Sequence, residues 1–247
     1  RTKYSPFKQK VMRLMERITA KMNNHLIMVS QEQTDWFASE YRKQCVTIPT
    51  AVNLPSEFAD TGILGKYNLT SGGYYLYLGR LVQDKNPDYL IRAFLKANLV
   101  DAKLVIAGSN DADIKYVDYL HNLANGDDRV IFTGAVYGLD KETLLKNCGV
   151  FCIPSTIEGL AITLLEAMSY AVPVIASDIQ ANKEGLGNNG IWVSAEDEKG
   201  LCDAIKYCEA NMNQIKNAAV LNRKRIEERF TWDKVSTLYS RYIESIS

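Results

Sequence analysis

Six short apolar runs, Tyr74–Leu78, Lys103–Ala107, Val130–Phe132, Val150–Ile153, Val174–Ala176 and Ile191–Val193, alternate mostly with stretches of helical periodicity. Alternation of this kind means parallel strands joined by crossover helices. Pro87 suits the first position of one such helix, since its missing N–H belongs to a group that a helix start leaves unbonded anyway. In Tyr89-Leu90-Ile91-Arg92-Ala93-Phe94-Leu95, which follows, the apolar positions recur at three- and four-residue intervals. Two further helices are expected to close the chain. With 47% hydrophobic and 23% charged residues among 247, the chain can bury a substantial core. The expected fold class is α/β, a parallel sheet with helices on both faces, as one large domain plus an appendage.

The residues that follow each run narrow the reading. Gly79-Arg80 follows the first, Gly108-Ser109-Asn110 the second, Gly134 the third, Ser155 with Glu158 the fourth, and Ser177-Asp178 the fifth. Open parallel sheets bind ligands outside the carboxyl ends of their strands. Small residues there let backbone approach a ligand closely.

The segment Glu158-Gly159-Leu160-Ala161-Ile162-Thr163-Leu164-Leu165-Glu166 sets two carboxylates around one expected helix start, near Ala161–Ile162. Free N–H groups at a helix N-terminus form a natural anion site, so the amides of Leu160, Ala161, Ile162 and Thr163 can face a phosphate. Glu166, about one turn inside, can accept both hydroxyls of a ribose. Arg80 and Lys85, five residues apart between a strand and a helix, can converge on a diphosphate. A nucleotide sugar fits this combination. A purely structural reading stands beside it: each glutamate stabilises the N-terminal half of a helix by about 0.3–1 kcal/mol through the macrodipole, and exposed loops carry Arg and Lys routinely.

Charge is balanced, 29 basic against 29 acidic residues, which speaks against a general nucleic-acid binder. The balance is uneven along the chain, with Arg1, Lys3, Lys8, Lys10, Arg13, Arg17 and Lys21 against Glu16 alone before His25. This basic, partly amphipathic helix has two readings, a peripheral contact with an anionic membrane or lipid-linked acceptor, or a solvated face packed on a neighbouring domain. His25–Val29 reads as a short buried strand, Ser30 as the N-cap of a helix to about Tyr41, and Val46–Ile48 as another strand. Punctuation from Pro49 to Gly73 marks a domain boundary. Five cysteines, with neither a signal peptide nor a membrane-length apolar run, point to a reducing cytoplasm, and Cys148 and Cys152 read as core thiols rather than metal ligands. The chain opens on Arg1 rather than Met, which suggests a fragment.

The sequence resembles the retaining GT-B glycosyltransferases of family 4. The matching elements are Gly79-Arg80-Leu81 with Lys85, Val130-Ile131-Phe132-Thr133-Gly134, Pro154-Ser155 before the two glutamates, and Glu166-Ala167-Met168 through Val172-Pro173-Val174-Ile175-Ala176-Ser177. Phe230-Thr231-Trp232 resembles the entry to the family's terminal crossover helix, so the likeness runs from about Asn24 to the C-terminus. It implies a Rossmann-like donor domain at residues 55–230, a remnant of an acceptor domain with linker at 1–54, and a crossover helix at 231–247. By this resemblance Gly79, Arg80 and Lys85 hold the donor diphosphate with Gly108 close by. Glu166 takes the nucleotide ribose, Glu158 the hydroxyls of the transferred sugar, and backbone near Val136 and Tyr137 the base. Glu158, Arg80 and Lys85 are then the catalytic candidates. The resemblance further implies transfer with retained configuration to a saccharide or lipid-linked acceptor, and no metal or other cofactor. The family's N-terminal acceptor domain would be missing, so the chain alone should turn over little.

The family pattern is departed from at three places. Ala161 and Ala171 stand where glycine is common, and Thr50-Ala51 replaces a usual Asn-Gly. Neither His25 nor His121 occupies the place of the histidine often found near the family's reacting centre. Two other functions are compatible with the residues: a non-catalytic nucleotide-sugar-binding module working with a separate acceptor chain, or another GT-B chemistry such as an epimerase or phosphorylase.

Overall fold

Strand residues of alternate parity face opposite cores in the computed structural model, which describes residues 5–22, 25–57, 61–109 and 113–246. Arg1, Lys3, Asn24 and Asn110 lie outside the described residues. The chain forms two compact units, Arg1–Pro49 and Thr50–Ser247.

The first unit holds helix α1 (Pro6–Met22), strand β1 (Ile27–Met28), helix α2 (Gln31–Tyr41) and strand β2 (Val46–Thr47). β1 and β2 pair in parallel over two residues. The expected buried strand at His25–Val29 is thus shorter and only half-buried, because a two-stranded ladder of this length offers no sheet to bury it. Ser30 caps α2 as its sequence predicts, with the Gln33 amide donating to Ser30 Oγ at 3.3 Å. On α1, Glu16 accepts from the Tyr41 hydroxyl at 2.7 Å and Ala20 is buried. Phe7, Leu14, Met15 and Met22 of α1 are each more than half exposed.

The second unit begins with the short helix α3 (Ile63–Lys66) and then runs β3 (Tyr74–Leu78), a 3-10 turn (Gln83–Lys85), α4 (Pro87–Ala97), β4 (Lys103–Ala107), α5 (Ile114–Ala124) and β5 (Val130–Gly134). It continues with α6 (Gly138–Asn147), β6 (Val150–Ile153), α7 (Ile162–Ser169), β7 (Val174–Ser177), α8 (Gln180–Leu186) and β8 (Ile191–Val193). Three helices close it, α9 (Glu198–Ala210), α10 (Met212–Arg229) and α11 (Trp232–Ile246). The sequence reading expected two; the extra break falls at Asn211, which ends α9 and starts α10 with no glycine or proline to announce it.

All six strands are parallel, in the order β5-β4-β3-β6-β7-β8. One sheet face sets Tyr75, Tyr77, Leu104, Ile106, Val150, Cys152 and Ile175 against α4, α5 and α9. The other sets Tyr74, Leu76, Val105, Phe151, Ile153 and Val174 in a core with residues of α6, α7 and α10. Leu90, Ile91 and Phe94 of α4 are fully buried, each contributing about 1.5–3 kcal/mol of transfer free energy. Cys148, Cys152, Cys202 and Cys208 are buried free thiols.

The strand order places the ligand crevice. From β3 the chain builds outward through β4 to β5, then returns to lay β6 on the other side of β3 and continues through β7 to β8. Loops that leave β3 and β6 therefore diverge at a topological switch point, where doubly wound sheets hold their ligands.

Candidate functional site

Loops 79–86 and 154–161 meet at that switch point and are stitched together. The Thr156 amide and hydroxyl both donate to the Asp84 carbonyl, at 3.0 and 3.1 Å. Asn86, buried and held at φ 52°, donates its side-chain amide to the Pro154 carbonyl at 2.9 Å. Lys85 Nζ donates to the Ile157 carbonyl at 3.0 Å and pairs with Glu158 Oε1 at 2.7 Å. Asn86 and Thr156 were not singled out from sequence, and no local pattern marks them.

Lys85 was expected to face a diphosphate beside Arg80. The structure instead turns it onto Glu158, with both side chains largely buried at 14% and 12% exposure. Arg80 is exposed, and among the described residues its guanidinium has no hydrogen-bond or ion-pair partner. Its carbonyl accepts from the buried Tyr77 hydroxyl at 2.7 Å. Burial, then the charges of Glu158 and Asp84, push the Tyr77 phenol up, so it stays protonated as a donor.

Gly79, Gly108 and Gly134 line up along the strand ends. The Gly79 amide donates to the Ala107 carbonyl and the Gly108 amide to the Gly134 carbonyl, each at 3.0 Å. Any Cβ on Gly108 would sit 2.2 Å from the Gly79 carbonyl oxygen. Beyond Gly134, Val136 is half-buried while Tyr137, just before α6, is 77% exposed.

α7 starts at Ile162, where the sequence placed it. Ala161 precedes it at φ −68°, ψ 118°, an ordinary backbone that any residue adopts, so the missing glycine costs nothing conformationally. No side chain caps this end. The first main-chain bond into the helix runs from Leu165 to Ala161, and the amides of Ile162, Thr163 and Leu164 have no acceptor among the described residues. Gly159 and the buried Leu160 complete the turn between Glu158 and this open helix end.

Glu166 lies one turn into α7, and Lys141 of α6 is 2.5 Å from its Oε1. Lys141 was missed from sequence; the only trace it leaves there is a basic residue in the first turn of the helix after the third strand. Ser177 and Asp178 are tied into structure. The buried Ser177 hydroxyl donates to the Ser155 carbonyl at 2.5 Å, and Asp178 pairs with Lys183. Among the described residues no group of His, Cys, Asp and Glu is arranged to hold a metal ion.

A parallel sheet with its crevice at a switch point, an uncapped helix end and two carboxylates flanking it defines a doubly wound α/β domain with an anion-compatible crevice at its strand ends. Residues 66–225 match the family Glycosyl transferases group 1, and the chain belongs to that family. An uncharacterised glycosyltransferase of Methanocaldococcus jannaschii is 32% identical over 167 residues, 65% of this chain and 42% of that protein. Phosphatidyl-myo-inositol mannosyltransferase of Mycolicibacterium smegmatis is 28% identical over 227 residues, 90% of this chain and 57% of that protein. The chain thus spans about half the length of these relatives. Among solved structures, Anabaena HepE in complex with UDP-glucose superposes with a TM-score of 0.86 at 18% identity, over 98% of this chain and 70% of that one. Such neighbours share the GT-B glycosyltransferase fold. No helix among the described residues is long and apolar enough to cross a membrane.

Proposed function

We propose that this chain is the donor half of a retaining, family-4-type glycosyltransferase that takes a nucleotide-diphosphate sugar and serves a saccharide or lipid-linked acceptor in polysaccharide or glycolipid synthesis. One observation carries the reading: the uncapped start of α7 lies between Glu158 and Glu166 at the switch point, and each glutamate is held by its own lysine. In this reading the diphosphate rests on the free amides of Ile162, Thr163 and Leu164, with Arg80 and Lys85 as cations. Charge that develops on the leaving phosphate meets donors already fixed in place, which is where such sites gain most of their rate. Glu158 receives hydroxyls of the transferred sugar, Glu166 the ribose, and the backbone at Val136 and Tyr137 the base. Arg80, Lys85 and the helix end supply the positive charge, so the reaction is proposed to need no metal.

The acceptor pocket is assigned to a further N-terminal domain, so the 247-residue chain should bind donor and turn over little. Support comes from the names of the similar proteins, one of them an inositol-lipid mannosyltransferase and another bound to UDP-glucose. A cytoplasmic protein with a peripheral membrane contact through the basic face of α1 fits a lipid-linked acceptor. Calorimetric titration with UDP, GDP and ADP tests the donor site. Binding of at least one, weakened at least tenfold in both Arg80→Ala and Glu166→Ala, is expected; no binding of any by the parent chain overturns the reading.

A further inference from the structure

Glu166 does not present a bare carboxylate. Lys141 occupies Oε1 at 2.5 Å, and the two side chains are 27% and 22% exposed, so the pair is sheltered yet reachable. The pair lines a cavity of ≈ 500 Å³ together with Asn53, Glu142, Ser169 and Tyr170. Three of the polar neighbours are otherwise engaged: the Ser169 hydroxyl donates to the Glu166 carbonyl at 2.7 Å, and the Tyr170 hydroxyl donates to Glu142 Oε2 at 3.3 Å. Among the described residues no hydrogen bond reaches Glu166 Oε2.

An ammonium has three N–H donors and no acceptor, while an ionised carboxylate only accepts. With one N–H spent on Oε1, the pair offers an acceptor, Oε2, beside the remaining donors of Nζ. We infer that Lys141 is a specificity-determining residue: with Glu166 it reads the two ribose hydroxyls unequally, one donating to Glu166 Oε2 and the other accepting from Lys141 Nζ. This rests on the reading of Glu166 as the ribose residue. It replaces the symmetrical arrangement in which one carboxylate takes both hydroxyls. Each hydroxyl then meets a charged partner of opposite hydrogen-bonding sense, and loss of one hydroxyl is felt by one partner alone.

The test is titration of the full chain with the tightest binding of UDP, GDP and ADP, and with the 2′-deoxy and 3′-deoxy forms of the same nucleotide. The parent should lose about ten- to a hundredfold for each missing hydroxyl, the range of a hydrogen bond to a charged group. In Lys141→Met the penalty for one deoxy form should vanish while the other persists. In Glu166→Gln the persistent penalty should be the one reduced, and Lys141→Arg should restore the parental pattern. A Lys141→Met variant that folds with parental cooperativity and weakens all three ligands equally, or weakens none, overturns the inference while leaving the donor site standing. If the parent binds no nucleotide, the function and the inference fall together.

Discussion

Lys85 Nζ lies 2.7 Å from Glu158 Oε1 across the gap between the loops that leave β3 and β6. Under the proposed function, a donor diphosphate that draws Lys85 away loosens this pair and leaves Glu158 to accept from a hydroxylated ligand. Both side chains are largely buried, so removing the lysine alone strands a carboxylate. Lys85→Met should destabilise the chain by about 2–3 kcal/mol in urea titration. Adding Glu158→Gln should recover most of that loss, and a double-mutant cycle showing no coupling would contradict the pairing.

Ala171 holds a left-handed backbone, φ 55°, at a position where the resembled family commonly has glycine. An L-residue with a Cβ is strained there by about 1–2 kcal/mol, partly offset by the greater freedom of glycine in the unfolded chain. Ala171→Gly is expected to stabilise by about 1 kcal/mol. The check is a raised urea midpoint with an unchanged denaturant slope.

Gly108 is constrained by space rather than by conformation. A methyl group there would stand 2.2 Å from the Gly79 carbonyl and 2.9 Å from the Leu81 side chain. Gly108→Ala should cost about 2 kcal/mol or more and weaken nucleotide binding, because it pushes apart the strand ends that carry Arg80. Gly65→Ala, where nothing lies within 4 Å, serves as the control and should leave binding unchanged.

Alkaline stability follows from the buried thiols. Burial holds Cys148, Cys152 and Cys208 above the ordinary 9.0, with Cys208 pushed up to about 12. These groups stay protonated in the folded chain at pH values where the unfolded chain has ionised, so the folded state binds more protons. Their contribution is fully present below about pH 9 and is lost as pH rises toward the folded values, by up to about 1.4 kcal/mol per pH unit per group. Urea unfolding at pH 7, 9 and 10 should show a plateau followed by a decline; stability that rises over this interval would exclude the assignment.

Patterns local to one segment were readable in advance. The start of α7 falls at the expected Ala161–Ile162, Pro87 does open α4, and Ser30 does cap α2. The asymmetry of the site was not readable. Lys85 meets Glu158 across 73 positions and Lys141 meets Glu166 across 25, and each meeting depends on how two elements are set side by side. Asn86 is the same kind of case: its side chain satisfies a carbonyl 68 residues away, and nothing around it in sequence names that partner. The break at Asn211 escaped because a helix can end on an asparagine with its amide still bonded back to Tyr207 and Cys208.

The stitching of loop 79–86 to loop 154–158 constrains how the site can be re-engineered. A loop transplanted alone would bring a new backbone to Asn86 and leave the carbonyls of Asp84 and Pro154 facing donors at the wrong height. The candidate site in this chain is thus a two-part cassette discontinuous in sequence. Recombination that respects the cassette should yield folded chimaeras, and crossovers falling between its halves should not.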